Sequence, residues 1–326
     1  MSQAKPEEIV VGVDLGGTKI RTVLADTSAN IKKWEQISTE AERGPEHVIG
    51  RIVGSIKRLI DEHPGDVIGI GIASAGAIEF TSGVVSSSPN LPGWHYIPLR
   101  DVVQRQLGIA TYLDNDATLA ALAEHRFGGG VGTRNMLYVT VSTGIGGGII
   151  IDGKPYRGVS GTAGEFGHTT LDVNGLRDTC GNVGCWETLA SGTALAREAV
   201  RRIKEGAPTN ILHFSEGDID KVSARTVSLA AESADRLANE LIDQAACHLG
   251  AGLVNLVNIF NPELILIGGG LSQMGERLLA PARKLVRGRA FEVAARAVRI
   301  EVAKLGADVG VLGAVALVLD ERAKVG

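Results

Sequence analysis

Residues 9–26 read IVVGVDLGGTKIRTVLAD and set the architecture of the chain. Two short β-branched runs, 9–13 and 20–26, flank a turn that contains two glycines, and this pattern predicts a β-hairpin. A third strand is predicted over residues 31–38. Backbone N–H groups in a glycine-rich turn can bind anionic oxygens, because glycine has no Cβ to block the approach. The plainer interpretation is a tight hairpin without a ligand.

A second strand–turn–strand module follows about 130 residues later, at 136–152, and indicates an internal duplication. Its turn reads TGIGGG, and a third glycine-rich strand end, LILIGGG, occupies residues 264–270. The first turn is not a Walker A loop, because Thr18 separates its last glycine from Lys19. No G-x-G-x-x-G leads into a helix, which disfavours a dinucleotide fold. Two matched turns and a third glycine-rich strand end favour a site for a nucleoside triphosphate.

Helical spacing of apolar residues alternates with these strands. Helices are predicted over 45–62, 117–127, about 233–260 and about 308–323, and further strands over 67–72 and 298–302. The stretch 86–94 reads SSSPNLPGW and predicts a loop. Because strands and helices alternate, the predicted class is α/β, with two lobes and a cleft between them. The expected boundary lies near residue 114 or at the glycine-rich stretch 128–132.

Composition excludes several classes of protein. Lys and Arg number 33 against 37 Asp and Glu, for a net charge of −4 without a basic block, so we expect no nucleic-acid partner. Three cysteines are too few for a disulfide scaffold and suit a reducing cytoplasm. We expect Cys247, on an apolar helix face, to be buried. No leader and no membrane span are expected, since no long uncharged apolar run is present.

Several motifs together resemble the ROK family, which contains repressors and sugar kinases. The resemblance covers essentially the whole chain and is greatest to the bacterial glucokinases of that family. It implies an actin-like, hexokinase-type fold, related to ribonuclease H, with ATP and Mg²⁺ bound in the cleft between the lobes. The motifs that carry it are DLGGTK at 14–19, LDNDA at 113–117, STGIGGG at 142–148, GEFGH at 164–168 and CGNVGCWE at 180–187.

The resemblance also implies domain limits and roles for individual residues. The first lobe is expected at 1–114, completed by 308–326, and the second at 115–307, with a sugar and zinc loop at 160–190. Asp116 is implied as the catalytic base, although its position before a predicted helix also suits a simple N-cap. The residues implied to bind the sugar are Asn90, Asn115, Glu165, His168 and Glu187. Those expected to bind the nucleotide and its Mg²⁺ are Asp14, Gly16, Gly17, Thr18, Lys19, Thr143, Gly144, Gly146, Gly269 and Gly270.

A structural zinc site is implied by the same resemblance. The family pattern is a histidine followed by three cysteines spaced C-x-C-x4-C. Here His168, Cys180 and Cys185 match, whereas Asp178 stands where the first cysteine is expected. Because zinc accepts carboxylate oxygen, a His/Asp/Cys/Cys site is chemically reasonable, and a loop without metal is the alternative.

Several functions stay open at this point. The leading one is transfer of phosphate from ATP to the 6-hydroxyl of glucose. N-acetylglucosamine, N-acetylmannosamine, mannose or fructose are alternative acceptors, and polyphosphate is an alternative donor. The sequence Ser-Ala-Gly-Ala at 74–77 departs from the Pro-Gly usual in the family and could change the sugar preference. A sugar-sensing repressor is disfavoured because only 13 residues precede Asp14. A sugar-binding protein without catalysis is the remaining class, and the family implies a homodimer or a dimer of dimers.

Overall fold

The computed structural model describes residues 7–63 and 65–324. Residues 1–6, in which no leader is expected, and residues 325–326 of the last predicted segment lie outside the described residues. The strands are β1 (Glu8–Leu15), β2 (Lys19–Asp26), β3 (Ile31–Ser38), β4 (Asp66–Ser74), β5 (Ala77–Glu79), β6 (Val84–Ser87), β7 (His95–Ile97), β8 (Thr111–Asn115), β9 (Met136–Val141), β10 (Ile145–Ile151), β11 (Lys154–Pro155), β12 (Leu264–Gly268) and β13 (Arg299–Val302). The helices are α1 (Pro45–Asp61), α2 (Leu99–Leu107), α3 (Asp116–Phe127), α4 (Glu187–Ala190), α5 (Gly192–Lys204), α6 (Ile211–Phe214), α7 (Ala224–Glu232), α8 (Arg236–Phe260), α9 (Glu276–Arg289), α10 (Glu292–Ala297) and α11 (Val309–Arg322).

Two five-stranded sheets repeat the same arrangement of strands along the chain. The first runs β3-β2-β1-β4-β8, and the second runs β11-β10-β9-β12-β13. In the first sheet β1 pairs antiparallel with β2 and parallel with β4, and β4 pairs parallel with β8. In the second, β12 lies parallel to both β9 and β13. The repeat seen in the sequence is therefore present in the topology, and the predicted α/β class is confirmed.

The first sheet is covered on both faces, which is why β1 is apolar at nearly every position. Val11 and Val13 face a core shared with helix α1, whereas Val10 faces helix α11. Alternating side chains of a strand point to opposite faces, so a strand between two helical layers has no polar face. The sheet consequently holds the carboxyl ends of β1 and β8 on a rigid base.

Helix α11 packs unusually close to this sheet, and glycine permits the approach. A Cβ on Gly71 of β4 would lie 1.9 Å from the carbonyl oxygen of Ala314, and one on Gly12 of β1 would lie 2.5 Å from that of Val311. On the other side, a Cβ on Gly313 would lie 2.3 Å from the carbonyl oxygen of Leu119 in α3. Helix α11 is therefore a central layer of the first part of the molecule.

The chain divides into two compact units. The first contains the chain up to Gly132, residues Gly148–Gly164 and the chain from Lys304 onward, and the second contains Thr133–Gly147 and Glu165–Ala303. This division differs from the domain limits expected at 1–114 and 115–307. Helix α3 belongs to the first unit because it packs against α11, and the segment 148–164 returns to the first unit after β10 has begun.

Other differences from the sequence-based expectations are local. Strand β10 begins at Ile145, inside the glycine run that was expected to form the turn. The small sheet β5-β6-β7 and helix α2 were not predicted. The expectation that Cys247 is buried is wrong, because it lies exposed on helix α8. Among the described residues, no helix has the length and apolar character needed to span a bilayer.

Candidate active site

The turn after β1 is closed by hydrogen bonds of its own backbone. The Gly16 N–H donates to the carbonyl of Lys19 at 3.0 Å, and the Thr39 hydroxyl donates to the carbonyl of Gly16 at 2.7 Å. A Cβ on Gly17 would lie 2.6 Å from the carbonyl oxygen of Asn90. Gly17 therefore lets the loop that carries Asn90 pack onto this turn. Thr18 and Lys19 are exposed at its tip.

Asp14, the carboxylate just before that turn, lies in a strongly perturbing environment. Burial, together with the charge of Asp116, raises its pKa to about 6, although the positive charges of Arg21 and Lys19 act in the opposite direction. A Cβ on Gly310, at the start of α11, would lie 2.5 Å from Asp14 Oδ2. The carboxylate consequently sits against the helix terminus, where a negative charge is favoured.

The carboxyl end of β8 shows which residue caps helix α3. Asn115 is the N-cap, and its side-chain oxygen accepts from the N–H groups of Ala117 at 2.9 Å and Thr118 at 3.1 Å. Its amide also donates to the carbonyl of Gly76 at 3.1 Å. The capping interpretation weighed for Asp116 therefore applies to Asn115.

Asp116 is the first residue of helix α3 rather than its cap. Its Oδ1 accepts from the N–H of Ala117 at 2.8 Å. Burial raises the pKa of its carboxyl, and the hydrogen bond from Ala117 offsets part of that rise. The side chain is partly accessible. A partly accessible carboxylate with a raised pKa has the properties of a general base that works near neutral pH.

In the second unit, Glu187 is tied to the turn that joins β9 to β10. Its Oε2 accepts from the Ile145 N–H at 3.1 Å, and a Cβ on Gly144 would lie 2.5 Å from the same oxygen. The Gly192 N–H donates to the carbonyl of Ser142 at 2.7 Å, and the Thr193 N–H donates to that of Thr143 at 3.3 Å. The turn is thus fixed by the first residues of helices α4 and α5. Gly146 lies within β10.

His168 lies near three acidic side chains of this unit. Its Nδ1 lies 2.9 Å from Asp178 Oδ2 and 3.8 Å from Glu187 Oε1, and its Nε2 lies 4.0 Å from Glu165 Oε2. Burial and the charge of Asp178 raise the pKa of Glu187, whereas the Ile145 N–H and His168 act against that rise. The three residues predicted to contact sugar from this unit, Glu165, His168 and Glu187, are therefore neighbours.

The four predicted metal ligands lie together. One donor atom from each of His168, Asp178, Cys180 and Cys185 falls within 4.8 Å of every other. The Cys180 Sγ lies 3.2 Å from Asp178 Oδ2 and 3.6 Å from the Cys185 Sγ. One nitrogen, one oxygen and two sulfur donors form a set that suits tetrahedral zinc. The donor set therefore fits the metal despite the missing cysteine.

A cavity of about 790 Å³ lies within the second unit, beside the turn at Thr143. Gly270 lines it, and Gly269 adopts a φ of +82°, with a would-be Cβ 2.5 Å from the carbonyl oxygen of Val141. The glycine-rich motifs predict the glycines and Thr143 as site residues. They do not predict most of the residues that line the cavity, which come from helices α5 and α7 and the segment after β12. These residues have no shared motif. They include Thr193, Ala196, Val222, Ser223, Arg225, Ser228, Gln273 and Met274.

Comparison with known proteins places these features in a family. A sequence model of the ROK family matches residues 10–321. The glucokinase of Halalkalibacterium halodurans is 38% identical over 93% of this chain and 92% of its own. The xylose repressor of Caldicellulosiruptor bescii is 34% identical over 96% of this chain and 78% of the repressor.

A solved structure extends the likeness to the fold. The crystal structure of a ROK family glucokinase from Streptomyces griseus, in complex with glucose and AMPPNP, superposes with a TM-score of 0.83 at 35% identity. The match covers 95% of this chain and 98% of that one. The predicted actin-like, hexokinase-type fold is confirmed by this similarity. The chain belongs to the ROK family.

Proposed function

We propose that the protein is a hexokinase-type phosphotransferase that moves the γ-phosphoryl group of ATP to the 6-hydroxyl of glucose. The observation that carries the proposal is the carboxyl end of β8, where Asn115 caps helix α3 and leaves Asp116 as a partly accessible carboxylate. The similarity to glucokinases, one of them solved with glucose and an ATP analogue, supports the same activity.

On the acceptor side, Asp116 takes the proton of the attacking hydroxyl. The hydroxyl becomes a better nucleophile as its proton moves to the carboxylate, and a carboxyl pKa raised by burial brings the base closer to neutral pH. The amide of Asn115 already donates one N–H to Gly76, which fixes its plane for the second N–H to reach a sugar hydroxyl. Asn90, Glu165, His168 and Glu187 are the further proposed sugar contacts.

On the donor side, the cavity beside Thr143 accepts the nucleoside of ATP. Its volume is in the range of pockets that bury small ligands. The glycine turns at Gly16–Gly17, Thr143–Gly144 and Gly269–Gly270 are proposed to bind phosphate oxygens through backbone N–H groups. Mg²⁺ bound with the nucleotide would neutralise phosphate charge, and Asp14 is the carboxylate proposed to hold it.

We also propose that zinc occupies the cluster of His168, Asp178, Cys180 and Cys185. The metal would cross-link the two ends of the loop at 160–190: the turn that contains Glu165 and His168, and the segment that directly precedes Glu187. With Nδ1 directed to the cluster, the other nitrogen of His168 stays on the side of Glu165. Bound there, zinc would hold the sugar-binding groups in place, and the proposed chemistry of phosphate transfer would remain with Asp116. A homodimer or dimer of dimers and a cytoplasmic location remain predictions.

The test is release of ADP with ATP and Mg²⁺ across a panel of hexoses, for the wild type beside Asp116→Asn. We expect turnover on glucose and a fall in kcat of about 10²–10⁴-fold in the variant, with sugar binding retained. Asp61→Asn is the matched control, because Asp61 is an exposed aspartate at the end of helix α1 in the same unit.

Each other outcome changes a defined part of the proposal. Turnover on an N-acetylated hexose, mannose or fructose keeps the mechanism and moves the substrate, and turnover with polyphosphate alone moves the donor. Wild-type kcat in Asp116→Asn contradicts the role of the base. Sugar binding without turnover with either donor contradicts the kinase proposal and favours a regulator, a class found among the xylose repressors that the chain resembles.

A further inference from the structure

Arg157 contacts two separate parts of the first unit. Its Nε donates to Asp114 Oδ2 at 2.8 Å. Its guanidinium carbon lies 3.9 Å from the centre of the Phe80 ring, in the range of a cation–π contact. Phe80 directly follows strand β5, and Asp114 is in β8. The side chain therefore bridges the small sheet and strand β8, which ends at Asn115, directly before the proposed base.

Asp114 is the buried partner of this pair. It is 2% exposed, and its second oxygen, Oδ1, accepts from the N–H of Asn115 at 2.8 Å. A buried carboxylate needs compensating partners, and a guanidinium together with a backbone N–H supplies them. Because Oδ1 holds the peptide group that leads into Asn115, the position of the carboxylate affects the peptide from which Asn115 and Asp116 project.

Arg157 is itself held by the loop that it begins. The Ala163 N–H donates to the carbonyl of Arg157 at 3.1 Å, which closes residues 157–163 into a compact loop. Gly161 has a φ of +82°, and a Cβ there would lie 2.4 Å from the carbonyl oxygen of Ile78. The loop therefore packs on strand β5 by backbone contact. Arg157 therefore projects from a surface loop that is closed by its own hydrogen bond and packed against β5.

We propose that Arg157 and Asp114 act as a positioning pair for the acceptor side of the active site. The guanidinium fixes the Asp114 carboxylate, Asp114 fixes the Asn115 peptide, and this sets the direction of the Asn115 amide and the Asp116 carboxylate. Neither residue of the pair is proposed to touch the substrate. The inference rests on the proposed function and goes beyond it by adding two residues that determine turnover.

A purely structural role and a positioning role predict different combinations of stability and kcat in the variants. Replacement of Arg157 alone leaves a buried carboxylate without its cation, and this destabilises the fold whatever its effect on catalysis. The double variant Arg157→Met/Asp114→Asn removes both charges, and the asparagine oxygen can still accept a hydrogen bond. Its stability should therefore recover, while the charged link between the loop and β8 stays absent.

The experiment measures kcat, the KM for glucose and for ATP, the stoichiometry of AMPPNP binding and the thermal midpoint. The variants are Arg157→Met, Arg157→Lys, Asp114→Asn and the double variant. We expect the double variant to regain the thermal midpoint and to bind AMPPNP at full stoichiometry, with kcat at least tenfold below wild type and the KM for ATP within twofold. Arg157→Lys keeps a positive charge and should recover part of kcat.

Arg58→Met is the matched control. Arg58 also forms a bidentate pair in the first unit, with Glu35 at 2.9 and 2.8 Å, between α1 and β3. It should leave kcat unchanged. Recovery of kcat together with stability in the double variant would overturn the positioning role, as would wild-type kcat in Arg157→Met. A wild type without hexose turnover would instead overturn the proposed function, and the inference with it.

Discussion

Asp14, the residue proposed to bind Mg²⁺, carries a buried carboxylate whose ionisation lowers the stability of the fold. Burial and the neighbouring Asp116 raise its pKa from an ordinary 3.8 to about 6. The folded state therefore binds this proton more tightly than the unfolded chain does. The resulting stability is fully present below about pH 4 and is lost as the pH rises through about 6. A pKa change of this size corresponds to about 3 kcal/mol.

The Asp14→Asn variant should accordingly be more stable than wild type above pH 6, by up to about 3 kcal/mol, because it has no carboxyl to ionise. Denaturant unfolding between pH 4 and 8 measures this difference in stability, which should disappear toward pH 4. Asp61→Asn, at an exposed site, serves as the control. A stability difference between Asp14→Asn and wild type that does not vary with pH would contradict the prediction.

At this scale, the sequence could predict residue identities but not their environments. The order of DLGGTK, LDNDA and GEFGH indicated Asp14, Asn115, Asp116 and Glu165. The pKa of Asp14, by contrast, depends on Asp116 and on the burial provided by the fold, and Asp14 also contacts the helix that begins near Gly310. These partners lie far from Asp14 along the chain, so no local pattern could have revealed them. The same holds for the link between Arg157 and Asp114.

Among the elements, helix α11 has packing that tolerates little change at Gly313. A Cβ on Gly313 would lie 2.3 Å from the backbone oxygen of Leu119, which cannot move without shifting α3. Gly313→Ala should therefore lower the free energy of unfolding by about 1–3 kcal/mol, as overpacking does in other cores. Chemical denaturation measures the change.

Gly50→Ala is the matched control for that substitution. Gly50 lies in helix α1 of the same unit, and a Cβ there meets nothing within 4 Å. Alanine at this exposed helical position should raise stability by about 0.5–1 kcal/mol, because it restricts the unfolded chain. If both variants shifted stability in the same direction, close packing at Gly313 would not be the cause.

The loop between β11 and α4 carries the third prediction, which concerns metal. Thiolate is a softer ligand than carboxylate and binds zinc more tightly. Asp178→Cys should therefore lower the Kd for zinc, and chelators should remove the metal more slowly from that variant. Metal content by mass spectrometry and competition with a zinc indicator measure both effects. Equal affinities would indicate that Asp178 is not a ligand.

Elements with a strong periodic pattern were predicted well, and short irregular ones were not. The range of β3 matches its prediction, and α1 ends one residue early, since both have unbroken patterns. The small sheet was missed because β5 and β7 have three residues each, too few for a period. Strand β10 begins within glycines because it pairs with β9, a tertiary contact that the side-chain propensity of glycine does not reveal.

For the molecule as a whole, the nucleoside of ATP should act mainly on the second unit. The cavity proposed to bind the nucleoside is lined by residues of the second unit, whereas Asn90, Asn115 and Asp116 belong to the first. AMPPNP should therefore slow amide hydrogen exchange most in α7 and in the segments around Thr143 and Gly270. Exchange followed by mass spectrometry, with and without AMPPNP, measures this. Protection confined to the first unit would contradict the assignment of the cavity.

The interrupted course of the first unit has a consequence for biosynthesis. Helix α11 forms a buried layer of that unit, yet it emerges from the ribosome only after the whole of Glu165–Ala303. The nascent first sheet therefore presents one apolar face, with Gly12 and Gly71 uncovered, until α11 has been synthesised. At roughly 5–20 residues per second, the wait from Gly164 to the start of α11 lasts about 7–30 seconds. We therefore expect the first unit to reach its native state after the second, although most of the first is made earlier.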